Sequence, residues 1–152
     1  MKCDLLFVYG TLRRRLASPM FRVLARHASF AGTGTFRGKL FEIRGYPGVV
    51  PSTRRGDEVV GELYRLNNQA AVFAVLDDYE MCSDKFPEPR EYRRDVVAIA
   101  AEGGIRVRAW TYIYNLPTGR LRRIASGDYL APDGMRSRSS SIRRRWQSPV
   151  RS

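Results

Sequence analysis

Apolar residues come in short bursts along this chain, and their spacing changes from one segment to the next. Leu5-Leu6-Phe7-Val8 is an unbroken run, the pattern of a short strand covered on both faces. It ends in Tyr9-Gly10-Thr11-Leu12. Gly10 permits backbone angles and close approaches closed to other residues. A strand ending this way can leave successive N–H groups aimed in one direction, a concavity suited to a carboxylate or a developing oxyanion. On spacing alone, the turn is equally a steric corner that needs Gly for room.

Further along, the period lengthens. Leu16, Met20, Val23, Leu24 and His27 fall near one face of a helix over Leu16 to His27, with Pro19 in its first turn. Phe30 to Ile43 reads as a strand, bent where Gly32, Gly34 and Gly38 interrupt it. Gly45 to Pro51 is a turn followed by a short extended piece, and Val59 to Leu66 is another strand. Asn67 or Asn68 caps the next helix. Its apolar face is Val72, Val75, Leu76 and Tyr79, and it ends near Tyr79 or Glu80. Pro87 and Pro89 keep the following loop irregular. Tyr92 to Ala101, the turn Glu102-Gly103-Gly104 and Ile105 to Tyr114 form an antiparallel pair.

Composition adds limits. A chain of 152 residues with 43% hydrophobic content fits one domain with a real core. No apolar segment is long enough to span a bilayer, and the first residues lack the pattern of a signal peptide. The expectation is a cytoplasmic protein with no membrane partner. Cys3 and Cys82 are too few for a disulfide framework or a cysteine-built zinc site, and their pairing stays open. No metal or cofactor is expected. The net charge is +12. Much of it sits after Pro132, where six arginines stand among serines with few apolar residues. Such a stretch cannot offset its ordering entropy. It is expected to be a flexible Arg/Ser-rich tail, 132–152, behind a folded domain of residues 1–131.

Several of these stretches resemble one family. Val8-Tyr9-Gly10-Thr11-Leu12 is similar to the opening signature of the gamma-glutamylcyclotransferase-like superfamily, with its AIG2-like and gamma-glutamylamine cyclotransferase branches. Tyr46-Pro47-Gly48-Val49-Val50-Pro51 and Val59-Val60-Gly61-Glu62-Leu63-Tyr64-Arg65-Leu66 resemble its next two motifs. Leu76-Asp77-Asp78-Tyr79-Glu80 resembles the element that carries its catalytic Glu. Tyr92-x-Arg94, Ala109-Trp110-x-Tyr112 and Ile124 to Leu130 resemble its closing strands and C-terminal element. The likeness covers roughly residues 4–130. It departs at Met81, where the family has Gly, and at Arg15-Leu16-Ala17, where Gly and Asn are common.

The resemblance implies an α+β fold, a small closed mixed β-barrel of about six or seven strands with a few flanking helices. It also implies an enzyme that cyclises a gamma-glutamyl amide to 5-oxoproline and releases an amine. Glu80 would be the general acid/base. Tyr9, Gly10, Thr11 and Leu12 would bind the small gamma-glutamyl substrate, with Tyr112 and Arg94 as further binding residues. Independently of the family, Glu80 borders an apolar face at a helix C-terminus. Burial and the helix dipole there both favour the protonated carboxyl. A solvated helix-end Glu is the plainer reading. Two other functions remain open. One is a basic barrel that binds nucleic acid with its Arg tail and an aromatic face of Trp110, Tyr112 and Tyr114. The other is a family member that only binds its ligand. For the enzyme, nucleic-acid contact is expected to be non-specific and confined to the tail. The oligomeric state is not legible.

Overall fold

A computed structural model describes residues 3–10, 19–79 and 87–130. Thr11, Leu12, Glu80, Met81, Cys82 and the Arg/Ser-rich tail lie outside the described residues. In chain order the elements are β1 (Leu5–Val8), α1 (Pro19–His27), β2 (Ala28–Glu42), β3 (Pro47–Pro51), β4 (Glu58–Leu66) and α2 (Gln69–Tyr79). There follow β5 (Tyr92–Ala101), a 3-10 turn at Glu102–Gly104, β6 (Arg106–Tyr114) and the short β7 (Arg122–Arg123).

Five strands close a barrel in the order β2-β4-β1-β6-β5. Two residue pairs, Gly34 with Ala101 and Thr35 with Ala100, join β5 back to β2. The β1–β6 pair is parallel and the others are antiparallel, so the barrel is mixed. The remaining two strands, β3 and β7, pair with the far end of β2. The α+β barrel expected from the motifs is therefore present, with seven strands among the described residues, five of which close the ring.

Strand alternation sorts the side chains into two layers. Phe7, Leu63, Ile99, Ala109 and Ile113 point into the barrel. Leu6, Val8, Tyr64, Tyr112 and Tyr114 point outward, where Leu24 of α1 and Val72, Phe73 and Leu76 of α2 cover them. A run buried on both faces is what the unbroken Leu5–Val8 pattern requires. Gly61 explains its place in the β4 motif. A Cβ there would stand 2.4 Å from the Val8 carbonyl oxygen and 2.5 Å from the Phe7 ring, so only Gly lets β1 and β4 approach.

The helices follow their sequence signals with two refinements. Asn68 is the cap of α2, and its side-chain oxygen accepts the Ala71 N–H at 3.1 Å. The buried stripe of α2 is Val72, Phe73 and Leu76, whereas Val75 is 38% exposed. Phe73 takes the inward position because its ring packs edge-on against Trp110, 5.6 Å between centroids. Between β7 and residue 130 the described residues form no regular element, yet Ile124 and Tyr129 are buried in the barrel core. The Ile124 N–H donates to Leu40 at 2.8 Å, and the Gly127 carbonyl accepts from Val60 at 2.7 Å. Cys3 is a free thiol, so the pairing left open with Cys82 is not formed. No helix among the described residues is long and apolar enough to cross a membrane.

Candidate active site

The β1 turn and the Pro-Gly loop, separated in the chain by α1 and all of β2, meet in space. Gly10 is buried against Pro47, and a Cβ on Gly10 would lie 2.6 Å from the Pro47 ring. Gly10 is therefore fixed by room rather than by a left-handed backbone, in keeping with the steric reading of the turn. The loop behind it is braced from three sides. The Tyr92 hydroxyl donates to the Pro47 carbonyl at 2.6 Å. The Tyr129 hydroxyl donates to the Gly45 carbonyl at 3.0 Å. Gly45, at φ +98°, turns its N–H onto the Glu42 carboxylate. Tyr9 itself points into the barrel, and its hydroxyl donates to the Tyr112 carbonyl at 2.7 Å. What Tyr9 offers the turn is its backbone.

The last turn of α2 is held from the other side. Asp77 accepts two hydrogen bonds from Arg94, Nε at 2.9 Å and Nη2 at 3.0 Å, the parallel geometry that makes Arg–carboxylate pairs strong. The Tyr112 hydroxyl donates to the same Asp77 oxygen at 2.7 Å. The Arg94 guanidinium lies over the rings of Phe73 and Trp110, at 3.9 and 4.8 Å from their centroids. Two residues expected to meet the substrate, Arg94 and Tyr112, thus both converge on Asp77. Tyr79 ends α2 two residues later, and Glu80 follows it in the chain. The structure brings Tyr9, Gly10, Arg94 and Tyr112 to neighbouring strand ends. Thr11, Leu12 and Glu80 fall outside the described residues.

Beside the clamp lies a polar cleft of about 320 Å³ lined by Asp77, Glu88, Arg90, Tyr92, Arg93, Arg94 and Asn115. Arg90 pairs with Glu88 at 3.0 Å and Arg93 with Asp95 at 2.8 Å. Nearby, burial pushes the Tyr114 phenol above its ordinary pKa, with the Glu91 charge adding and Arg44 opposing.

Two acidic residues of this region were not singled out from the sequence. Asp77 stands in the sequence only as a position of the Leu76–Glu80 motif, because its partner is 17 residues away on another element. Glu62 was an unspecified position within the β4 motif. It is 5% exposed, stands opposite Val8 in the β1–β4 ladder and accepts the Tyr64 hydroxyl at 2.9 Å. The alternation of β4 placed it on the helix side, but nothing in the spacing marked that side as dry for a carboxylate. The aromatic face proposed for nucleic acid is occupied: Tyr112 and Tyr114 are buried and Trp110 packs on Phe73. Among the described residues, no three His, Cys, Asp or Glu side chains come together as metal ligands would.

Comparison with known proteins adds a family to this geometry. The model of the family described as "Gamma-glutamyl cyclotransferase, AIG2-like" matches residues 6–131. The chain is 30% identical over 128 residues to the gamma-glutamylcyclotransferase family protein YtfP of Escherichia coli K12, covering 84% of this chain and 97% of that one. The solution structure of ytfP from Escherichia coli superposes with a TM-score of 0.56 at 30% identity, over 83% of this chain and 96% of that one. An AIG2-like protein from Mus musculus superposes with a TM-score of 0.55 at 25% identity, over 74% and 78% of the two chains.

Proposed function

The chain belongs to the gamma-glutamyl cyclotransferase, AIG2-like family, and from that premise we propose that it cyclises a gamma-glutamyl amide to 5-oxoproline and releases an amine. The observation that carries this reading is the pinned end of α2. Asp77, gripped by Arg94 and Tyr112, fixes the helical turn from which the chain runs into Glu80.

In the proposed reaction Glu80 takes a proton from the substrate's α-ammonium. The freed amine attacks the side-chain amide carbonyl, forming the lactam C–N bond. The tetrahedral intermediate then breaks the original C–N bond as Glu80 returns the proton to the departing nitrogen, and the second proton of the ring nitrogen passes to the released amine, which leaves as an ammonium. Both reacting atoms belong to one molecule, so holding the substrate folded supplies much of the rate. N–H groups of the Tyr9–Leu12 turn receive the substrate carboxylate or the oxyanion. In this reading Arg94 and Tyr112 act mainly through Asp77. The enzyme domain is residues 1–131, with 132–152 as an Arg/Ser-rich extension. The free Cys3 thiol fits a reducing compartment such as the cytoplasm. Met81 and Arg15-Leu16-Ala17, where the sequence departs from the family motifs, favour the alternative of a family member that binds without turnover.

The test is to incubate the protein with a panel of gamma-glutamyl compounds and measure 5-oxoproline. Activity is expected, and in Glu80→Gln it should fall by about 10²–10⁴-fold, the usual worth of acid–base catalysis, with the melting temperature maintained. Turnover unchanged in a well-folded Glu80→Gln protein would exclude this acid/base. Silence across the panel with retained binding would select the non-catalytic alternative.

A further inference from the structure

The barrel closes through a narrow seam, and beside the seam its wall is open. β2 and β5 pair at Gly34 with Ala101 and at Thr35 with Ala100. Past Thr35 the two strands part. A cleft of about 340 Å³ lies between Phe36 and Arg37 of β2 and Ala98 and Ile99 of β5, with Glu58 and Arg106 also in its lining. It shares no lining residue with the polar cleft beside α2.

The β5 side of this cleft is a sheet edge. The Ala101 N–H donates to the Ile105 carbonyl at 2.7 Å, and the Asn115 N–H to the Glu91 carbonyl at 2.8 Å. The β5–β6 register runs unbroken between them. Odd-numbered residues of β5 therefore bond to β6, and even-numbered ones turn their N–H and C=O groups the other way. Ala100 pairs with Thr35. Ala98, the next even-numbered residue, lies past the end of that ladder and is exposed. Residues 96–101 are apolar throughout, with no Pro, Lys or bulge to blunt the edge. Such an edge is a template for another strand.

A strand added here has two different faces to satisfy. Side chains turned inward meet Phe36 and Ile99, both part of the barrel core. Those turned outward meet arginines. Arg37 and Arg106 line the cleft, and Arg108 stands opposite Ala98 in the β5–β6 ladder. All three are exposed, and none has an ion pair or a side-chain hydrogen bond among the described residues. Glu58 is the one carboxylate in the lining. Nearby, Asp57 is engaged by Ser52 and Arg123, and Glu102 by Thr33. Three guanidiniums against one carboxylate favour an acidic partner. The same charge opposes a second copy of this edge, and opposes the arginine-rich residues 132–152.

We propose that the β5 edge at Ala98 takes an extended segment of a partner protein as an added strand. The segment alternates apolar residues, turned toward Phe36 and Ile99, with acidic residues, turned toward Arg37, Arg106 and Arg108.

The probe is a capped octapeptide of alternating valine and glutamate. It is titrated into the full-length ¹⁵N-labelled protein and followed by NMR at the amides of Val96, Ala98 and Ala100, a readout that registers weak binding. These signals should shift, and hydrogen exchange at Ala98 should slow. The same peptide with lysine for glutamate should bind at least about 5-fold more weakly. The acidic peptide N-methylated at every residue keeps its charge but loses its backbone donors, and should leave the edge unmoved. Ala98→Pro removes only the edge donor, because the Ala98 N–H does not serve β6. It should weaken binding by about 5-fold, the worth of one hydrogen bond. The double variant Arg37→Gln/Arg106→Gln leaves the backbone intact and should weaken it by about 3-fold or more. Thermal denaturation checks that both variants fold. The proposal is overturned by unshifted edge amides, by equal binding of the lysine or the N-methylated peptide, or by unchanged affinity in both folded variants. Displacement of the peptide by oligothymidylate at equal concentration would give the face to nucleic acid instead. Self-association of the parent that Ala98→Pro abolishes would give it to a second copy.

Discussion

Single residues carry the joints of this protein, and the motifs differ in how openly they reveal why. Gly10 was legible as a residue that must stay Gly, but its physical reason is Pro47, which no local pattern names. Replacing Gly10 by Ala puts a methyl 2.6 Å from the Pro47 ring, and a proline ring cannot rotate away as a flexible side chain would. We expect a lower melting temperature in Gly10→Ala, and a larger loss in Gly10→Val. A Gly10→Val protein as stable and active as the parent would remove the turn from the site. The Asp77 clamp was invisible because it joins a helix to two strands through polar side chains that are wholly or largely buried in the fold. Asp77→Asn keeps the shape and removes the charge that Arg94 grips. Turnover should fall by about 10-fold or more with little change in substrate affinity, as misplacement of a catalytic segment does. Arg94→Lys, which loses the bidentate fork, should reproduce the defect. Equal losses of stability and activity in both variants would mean that the clamp is structural only.

At the level of elements, hydrophobic period located every strand longer than two residues, and both helices where they are described. β4 and β5 were readable to within a residue because alternation and bounding turns agreed. The register was not readable. It depends on close approaches such as Gly61 against β1, which involve residues far apart in the chain. β7 was missed because Arg122-Arg123 has no apolar residue, and pairing with β2 alone makes it a strand. The start of α2 was left between Asn67 and Asn68, either of which has the chemistry of a cap. Asn68 fills that position, so Asn68→Ala should cost about 1 kcal/mol, a typical loss for an N-cap. Urea denaturation measures it. An Asn67→Ala protein should stay close to the parent, and the reverse order would show that the cap is misassigned.

For the molecule as a whole, the end of the barrel is stapled by Asp57. Its carboxylate accepts from Ser52 at 2.6 Å and from Arg123 at 2.8 Å, while its carbonyl accepts the Gly38 N–H at 3.1 Å. One residue thereby ties the β2–β3 hairpin, the entry to β4 and β7. The Ser52 hydrogen bond, and then that of Arg123, hold the Asp57 carboxyl below the usual carboxylate range. A depressed folded-state pKa contributes stability above the unfolded value of about 3.9, and this is lost as pH falls through the lower folded value. Asp57→Asn should therefore be less stable than the parent at neutral pH, with the two curves converging as pH drops below about 4. A difference that stays constant from neutral pH to pH 2 would assign the loss to packing. The barrel as a class was legible from its motifs. Its closure was legible only through the family likeness, because the two residue pairs between β2 and β5 that complete the ring join segments far apart in the chain.

The central place of β1 bears on how the chain is made. Leu5–Val8 leaves the ribosome well before its neighbours, β4 at residues 62–65 and β6 near Trp110. Leu6, Phe7 and Val8, all buried in the finished protein, have no sheet to join until β4 and then β6 have been synthesised. Ile124 and Tyr129 enter the barrel core later still. A nascent chain of this design carries this apolar run without its sheet partners from its own synthesis until that of β6. Its dependence on chaperones is then set by strand order more than by final stability.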